Sequence, residues 1–351
     1  LNVGFQVTWT MHMPNCIPPV SRSMHFSVFV PYLNAMIIGY GIDRNDNLLN
    51  DIWIFYIEKK MWQNINGKQS NQLDSSKITP RNGTTACLVN DNYIFLFGGF
   101  TGTYYIDDLH VIDLKNCRIF KPAAMNQGPP GRIGHVMESQ NNKIVIWGGY
   151  NGDWLSDLWI LDINTNSPQL QLQWRHLPCD INNRTSAAFV NDSFGENLYI
   201  YGASKTDPFL KFNWESEVLS LVKSSGTPPS SQITAGSMLA VGKYLFVFGG
   251  KFDKHKYCLL YGYDIRRNWW FQFSAKPDGI TTTVDDGAVD KNGLFYLPRT
   301  WSSSIAYNRK TREALLFLGL PSQESPPISI INLEDLLSGL NLASDLLQFL
   351  R

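Results

Sequence analysis

A short apolar run that ends in glycine recurs along the chain, and it constrains the fold more than any other feature of the sequence. Each run is rich in aromatic and β-branched residues, and several copies end in Gly-Gly. The repeat unit is about 50 residues, because the first glycines of the copies are Gly39, Gly98, Gly148, Gly202, Gly249 and Gly319. Continuous apolar runs of this length predict strands buried on both faces, as in sheets that stack face to face.

The same partners flank most copies of the run. Before it stands an arginine followed by small residues or His, at Arg22, Arg81, Arg132, Arg184 and Arg299. After the glycine comes an acidic residue with alternating apolar positions, at Asp51–Phe55, Asp108–Asp113, Asp157–Asp162 and Glu217–Leu221. A single aromatic then follows, at Trp62, Phe120, Trp174 or Trp269. Strands at this spacing predict four-stranded sheets repeated around an axis.

These residues resemble the kelch-repeat family, and the resemblance covers nearly the whole chain. It implies an all-β propeller in which Gly-Gly ends the second strand of each blade. The acidic residue would open the third strand, and the lone aromatic would lie in the fourth. Three copies depart from the pattern, since Gly202 precedes Ala, Gly319 precedes Leu, and the fifth copy lacks its leading arginine. We expect blades at these copies as well.

The two ends of the chain predict how the propeller closes. The sixth copy supplies strands as far as Leu333 but no fourth strand, whereas residues 5–10 resemble an isolated fourth strand that carries Trp9. We therefore expect a six-bladed kelch-type β-propeller whose N-terminal strand closes the last blade and removes an exposed edge. A seven-bladed ring is the alternative. The blades should span residues 21–66, 80–123, 130–178, 183–224, 230–275 and 298–335, with strand 5–10 added to the last.

Two segments lie outside the repeat. Residues 275–297 form a polar insertion in which Leu294–Leu297 is a further candidate strand. Beyond a propeller domain of residues 1–335, leucines recur at steps of three and four in residues 336–351, which predicts a short amphipathic helix. This tail either docks on the propeller itself or leads to a further domain or a partner helix.

The composition excludes several classes of function. Thirty basic residues balance 30 acidic ones, so the chain lacks the electrostatic footprint of a nucleic-acid binder and a basic surface for membranes. The longest apolar stretches are too short to span a bilayer. Five scattered cysteines without a Cys-x-x-Cys favour reduced thiols over a disulfide framework, so we expect a cytoplasmic protein.

The sequence contains little that predicts catalysis. Its six histidines are far apart, which disfavours a zinc site, and the common hydrolase and phosphate-binding motifs are missing. His25 and His135 share one repeat position, and we interpret them as structural hydrogen-bonding groups. We expect no enzyme, no cofactor and no metal. The alternative is a kelch-fold enzyme such as a copper radical oxidase, which would need Cys, Tyr and His side chains to converge on the axis.

The loops predicted on one rim combine aromatic and charged residues, which is the chemistry of interaction hot spots. We therefore expect a protein-interaction module or scaffold that binds another protein or peptide. The resemblance implies short peptides held at that rim by arginines, and cytoskeletal, polarity or signalling assemblies as settings. The candidate contact residues are Arg81, Tyr104, Tyr105, Arg132, Tyr150, Asn151, Trp154, Arg184, His255 and Arg299. The arginines have a second interpretation, as braces between neighbouring blades.

Overall fold

The computed structural model describes residues 5–67, 73–74, 78–166, 169–252, 260–278, 297, 299–322 and 324–349, with side chains as far as residue 342. It shows an all-β, propeller-like arrangement with one α-helix near the C-terminus. Within the described part of the chain, no helix combines the length and the apolar character needed to cross a membrane.

Four separate sheets each consist of four successive antiparallel strands. Sheet 1 contains Phe26–Val30, Ala35–Gly39, Ile52–Tyr56 and Met61–Asn64. Sheet 2 contains Thr85–Val89, Tyr93–Phe97, Leu109–Asp113 and Arg118–Phe120. Sheet 3 contains Val136–Gln140, Lys143–Trp147, Leu158–Asn164 and Gln171–Leu177. Sheet 4 contains Ala188–Asn191, Asn197–Tyr201, Phe209–Asn213 and Val218–Leu221.

A larger sheet joins two further units of four strands. Unit 5 contains Ser237–Val241, Tyr244–Phe248, Leu260–Asp264 and Trp269–Pro277. Unit 6 contains Ser304–Asn308, Glu313–Phe317, Ile328–Asn332 and the N-terminal strand Phe5–His12. The N-terminal strand pairs antiparallel with unit 6, where Trp9 lies opposite Ile331, and parallel with unit 5, where Phe5 lies opposite Phe273. The first pairing agrees with the sequence-based expectation, and the second is an addition that the repeat pattern did not predict.

Short elements complete the described structure. Arg22–Ser23 pairs with Ile42–Asp43, Ser225–Gly226 pairs with the start of the last strand of unit 5, and Pro31–Leu33 forms a 3-10 helix. The sequence predicted a polar insertion from residue 275, but the strand continues to Pro277. The rest of that insertion, including most of the candidate strand 294–297, lies outside the described residues.

The predicted apolar runs are buried on both faces because each sheet is packed between two others. In sheet 2, residues 94–97 are at most 1 % exposed. Ile94 and Leu96 belong to the core shared with sheet 1, whereas Phe95 and Phe97 belong to the core shared with sheet 3. Alternate residues of one apolar run therefore serve two different interfaces, which explains why the run contains no polar position.

The paired glycines allow the next repeat to pass close by. Gly98 and Gly99 have φ angles of 77° and 121°, a region that glycine adopts far more readily than other residues. A Cβ on Gly98 would lie 2.5 Å from the carbonyl oxygen of Arg132. The N–H of Gly99 donates to that same oxygen at 3.0 Å. The glycine pair is thus required by both the turn and the approach of the neighbouring repeat.

The strand order in the fourth repeat corrects one prediction. The acidic residue and alternation at Glu217–Leu221 indicated a third strand, but the third strand is Phe209–Asn213 and Val218–Leu221 is the fourth. Alternation marks any half-buried strand, so it cannot by itself distinguish the two positions. Glu217 instead reaches sheet 3, where its carboxylate pairs with Arg175 at 2.7 Å and Lys143 at 2.6 Å.

Hydrogen bonds join equivalent residues of most neighbouring repeats, just before the first strand of each sheet. The backbone N–H of Gly83 donates to Met24, that of Ser186 to Gly134, that of Ala235 to Ser186, and that of Ser302 to Ala235, all at 2.7–2.8 Å. The N–H of Met24 donates in turn to the hydroxyl of Ser302 at 2.9 Å. These bonds link unit 6 back to sheet 1. The participating residues all have positive φ: Met24, Gly83, Gly134, Ser186, Ala235 and Ser302.

The C-terminal helix, Glu334–Phe349, begins where unit 6 ends. The side chain of Asn332 accepts a hydrogen bond from the N–H of Glu334 at 2.9 Å, as an N-cap does. Leu336, Leu337 and Leu340 are buried in the same cluster as Trp9. The described part of the helix therefore packs on the propeller-like body, next to the N-terminal strand. This is the first of the two alternatives that the sequence left open for the tail.

Candidate functional site

Two loops, each joining the second and third strands of its sheet, meet at one end of sheets 2 and 3. We call this end the upper rim, and the end that carries the turns between first and second strands the lower end. The loops span residues 98–108 and 148–157. The rings of Tyr105 and Tyr150 lie 5.9 Å apart, so the two loops are in contact.

Backbone hydrogen bonds fix the base of each loop. Phe100 exchanges two bonds with Asn82, at 2.8 and 3.1 Å, and Tyr150 exchanges two with Ile133, at 2.9 and 3.0 Å. Asn82 lies just before the first strand of sheet 2, and Ile133 lies just before the first strand of sheet 3. Each residue thus belongs to the same repeat as the loop that it holds. At the second tip, the N–H of Asn151 donates to the carbonyl of Asp153 at 3.2 Å. The loops are therefore ordered hairpins that hold their side chains in fixed positions.

Four aromatic side chains form a continuous row across the two loops, and we call them the aromatic row: Phe100, Tyr105, Tyr150 and Trp154. The ring centroids of successive members are 4.8, 5.9 and 5.1 Å apart. Trp154 is 61 % exposed, and Tyr104, beside the row, is 71 % exposed. Predicted contact residues from two loops are thus brought together. Trp154 and Tyr104 stay largely open to solvent, whereas Phe100, Tyr105 and Tyr150 are half-buried.

The structure places Arg132 inside the protein rather than on the rim. Its guanidinium is fully buried, donates to both carboxylate oxygens of Asp157 at 2.7 Å, and donates to the carbonyls of Pro130 and Gly148. The indole N–H of Trp159 donates to the same carboxylate at 2.7 Å. Arg132 is therefore a brace within its own repeat, whereas the sequence had suggested a brace between neighbouring blades as the second interpretation.

Of the other repeat arginines, two also pair with a carboxylate, whereas Arg184 and Arg299 donate to backbone carbonyls. Arg22 pairs with Asp51 at 2.6 Å, and Arg81 pairs with Asp108 at 3.4 Å. Arg184 is also buried and donates to the carbonyls of Asn182, Asn183 and Asp207. The half-buried Arg299 donates to the carbonyl of Gly250. His255 lies outside the described residues.

The buried arginines also keep their carboxylate partners ionised. Burial alone raises the pKa of Asp157, but the hydrogen bonds and charge of Arg132 outweigh it, and the pKa lies below the usual range. The pKa of Asp51 is lowered in the same way by Arg22. These charges therefore neutralise each other inside the repeats, and neither is offered to a ligand.

Two buried histidines differ in their contacts although they share a repeat position. His25 shares a hydrogen bond of 2.7 Å with the hydroxyl of Ser304. Among the described residues, neither ring nitrogen of His135 finds a hydrogen-bond partner, and its ring packs edge-on against Phe97. Burial lowers the pKa of both to about 3. The predicted role as a structural hydrogen-bonding group thus fits His25 and does not fit His135.

Among the described residues, no group of three or more His, Cys, Asp or Glu side chains is arranged to hold a metal ion. The chemistry that these residues present at the upper rim is instead that of a contact surface. Open aromatic faces supply apolar area at low entropic cost, because the rings are already held in place by their neighbours.

The sequence analysis missed two carboxylates beside the aromatic row. Asp107 follows Tyr105 by two residues, Asp153 precedes Trp154, and both are exposed. The repeat pattern could have distinguished them, because only the acidic residue that opens the third strand, Asp108 or Asp157, meets the buried arginine. The remaining acidic residue of each loop is left for solvent or for a ligand.

Comparison with known proteins places the repeats in a family. Residues 69–210 match the model of the KLHDC2/KLHL20/DRC7 Kelch-repeats domain. The chain is 28 % identical over 160 residues to acyl-CoA-binding domain-containing protein 4 of Arabidopsis thaliana, covering 45 % of this chain and 23 % of that protein. It is 23 % identical over 294 residues to the leucine-zipper-like transcriptional regulator 1 homolog of Drosophila melanogaster, covering 77 % and 29 %.

A third relative is Kelch domain-containing protein 10 of Rattus norvegicus, 26 % identical over 218 residues that cover 58 % of this chain and 50 % of that protein. The matched region thus spans between about a quarter and a half of the length of these relatives. The region that matches the family model, residues 69–210, includes both loops of the upper rim.

Proposed function

We propose that this chain, which is similar to kelch-repeat proteins, is a non-enzymatic protein-interaction module that holds its partner on the upper rim. The observation that carries the proposal is the aromatic row, whose members contact one another across two repeats. Exposed aromatics in fixed positions are typical of interaction hot spots. The contact residues of this proposal are Tyr104, Tyr105, Tyr150, Asn151 and Trp154.

The proposal includes a six-bladed propeller formed by sheets 1–4 and units 5 and 6, spanning residues 1–335. Two observations support it. Hydrogen bonds join equivalent residues in five of the six neighbouring pairs of repeats, including the return from unit 6 to sheet 1 through Ser302 and Met24. The same two repeats share a core, in which the rings of Phe55 and Phe317 lie 4.5 Å apart. On this view the N-terminal strand closes the last blade, and the helix caps that blade.

We further propose a cytoplasmic scaffold in cytoskeletal, polarity or signalling assemblies. The support is the kelch resemblance together with Cys16, Cys87, Cys117 and Cys179, which are free thiols of the kind found in reducing compartments.

The test is a comparison of the proteins captured from a cell extract by the immobilised chain and by two variants. Tyr105→Ala combined with Trp154→Ala should weaken capture by about 30-fold or more, because hot-spot residues contribute about 2 kcal/mol or more. Met125→Ala combined with Phe194→Ala is the matched control, since both residues are exposed at the lower end. It should capture the wild-type set.

Thermal melting of the same variants separates contact from packing. We expect both double variants to melt close to the wild-type protein, because the removed side chains are at least partly open to solvent. The upper rim is not the binding surface if the Tyr105→Ala/Trp154→Ala variant still captures the wild-type set. The same conclusion holds if this variant captures less protein only because its melting temperature has fallen sharply.

A further inference from the structure

The charge of the upper rim indicates what kind of partner segment fits the aromatic row. In the loops between second and third strands of sheets 1–3, Arg44 is the one cationic residue, against seven aspartates. The sequence suggested the opposite, because the repeat arginines were expected to face an acidic peptide. Their burial against carboxylates removes that positive charge from the surface.

The acidic residues of these loops divide into those already engaged and those that are not. Asp51, Asp108 and Asp157 neutralise the buried arginines. Asp43 accepts hydrogen bonds from Asn45 and Asn47 within its own turn. These four carboxylates therefore stabilise the fold through contacts within the protein. The remaining carboxylates of the loops are the ones that a ligand could contact.

Asp107 and Asp153, one beside each half of the aromatic row, are exposed. No ion pair or side-chain hydrogen bond engages either carboxylate within the part of the chain that the structure describes. Arg44, the cationic residue of these loops, pairs with Glu324 at 3.6 Å, and Lys121, which follows the last strand of sheet 2, pairs with Asp108 at 3.0 Å. The aromatic row is thus flanked by uncompensated negative charge.

We propose that the upper rim of sheets 2 and 3 binds a basic segment of a partner protein, with an arginine side chain on the aromatic row and its charge facing Asp107 and Asp153. The inference rests on the proposed function. A guanidinium combines the two features of the surface, because its plane stacks on aromatic faces while its N–H groups donate to carboxylates. An acidic segment would meet the like charge of an exposed carboxylate from each of the two loops.

The probe is a display library of random 12-residue peptides, selected on the immobilised wild-type protein. The expected result is enrichment of peptides that contain arginine, whose binding weakens as salt is raised from about 0.1 M to about 1 M, where the Debye length falls from about 10 Å to about 3 Å. Enrichment of acidic or uncharged peptides that still require Tyr105 and Trp154 would overturn the charge assignment and leave the proposed function standing.

Two charge variants sharpen the test. Asp107→Asn combined with Asp153→Asn should weaken binding of the selected arginine peptides about tenfold, since exposed ion pairs are individually weak. Glu196→Gln combined with Glu215→Gln removes two exposed carboxylates from the lower end of sheet 4 and should leave the affinity unchanged. Equal losses in both variants would contradict the proposal, because they would reflect net charge alone.

A separate outcome addresses the proposed function itself. If the selected peptides bind Tyr105→Ala/Trp154→Ala as tightly as the wild-type protein, or if no peptide is enriched, both the basic segment and the use of this rim are contradicted.

Discussion

Removing the N-terminal strand, residues 5–12, should prevent the protein from reaching a stable fold. The strand buries Val7 and Trp9, which are 2 % and 0 % exposed, in one cluster with the C-terminal helix. Loss of a buried tryptophan alone typically costs about 3–5 kcal/mol, a large share of the roughly 5–15 kcal/mol that stabilises a domain. Deletion also exposes the strand edges at Ile328–Asn332 and Phe273–Pro277, and open edges favour aggregation.

The point variant Trp9→Ala makes this expectation measurable in a protein that still folds. Denaturant unfolding should show a loss of about 3–5 kcal/mol. Trp269→Ala is the matched control, because Trp269 lies on the last strand of unit 5 and is 42 % exposed. The loss of unfolding free energy in Trp269→Ala should be clearly smaller than that in Trp9→Ala. A truncated chain with an unchanged unfolding curve would show that the N-terminal strand is dispensable.

Acidification from pH 7 to pH 5 should destabilise the protein by about 4 kcal/mol. Burial lowers the pKa of His25 and His135 to about 3 and that of His110 to about 4, whereas each titrates near 6.5 when unfolded. The unfolded chain therefore binds more protons below pH 6.5, and stability is lost as the pH falls through that value. Each histidine contributes about 2 kcal/mol of loss at pH 5.

Protonation of Glu138 stabilises the folded state on acidification, in the opposite direction to the histidines. The net loss of about 4 kcal/mol already includes this effect. Burial raises the pKa of the Glu138 carboxyl to about 7, so the folded state takes up this proton first and offsets up to about 2 kcal/mol of the loss. The carboxylates with lowered pKa, such as Asp157 and Glu217, lose their contribution only at more acidic pH.

One variant isolates a single histidine from this sum. His135→Leu should lose about 2 kcal/mol less between pH 7 and pH 5 than the wild-type protein, measured by denaturant unfolding at both values. His176→Leu is the control, because the His176 side chain is exposed and stacks on Trp159. If both variants lose stability in parallel with the wild-type protein, His135 does not carry the acid sensitivity.

The sequence predicted those parts of the fold that depend on local pattern. The apolar runs that end at Gly98 and Gly148 are second strands, as expected, because burial on both faces leaves a continuous signature. The match of residues 69–210 to a kelch-repeats model confirms the predicted resemblance for that part of the chain. In the fourth repeat, the alternation at Glu217–Leu221 was assigned to the wrong strand, since the third and fourth strands are both half-buried.

The candidate site was harder to predict because it depends on pairing between distant residues. A loop tip that contains Tyr104 or Trp154 can be identified from sequence, since glycine and polar residues surround the aromatic. Whether Arg132 faces solvent depends on a carboxylate 25 residues away, and spacing alone does not reveal that contact. The same pairing decides which aspartates remain exposed, so the charge of the upper rim could not be read before the structure.

Cross-linking from the upper rim tests the central claim most directly. A photoreactive residue in place of Tyr104, 71 % exposed, is compared with one in place of Met125, 73 % exposed beside Asn141 and Asn142 at the lower end. In a cell extract, position 104 should form a covalent adduct with a discrete partner and position 125 should not. Excess untagged wild-type protein should suppress the adduct, and excess Tyr105→Ala/Trp154→Ala protein should not. Adducts from position 125 alone, or equal suppression by both competitors, would contradict binding at this rim.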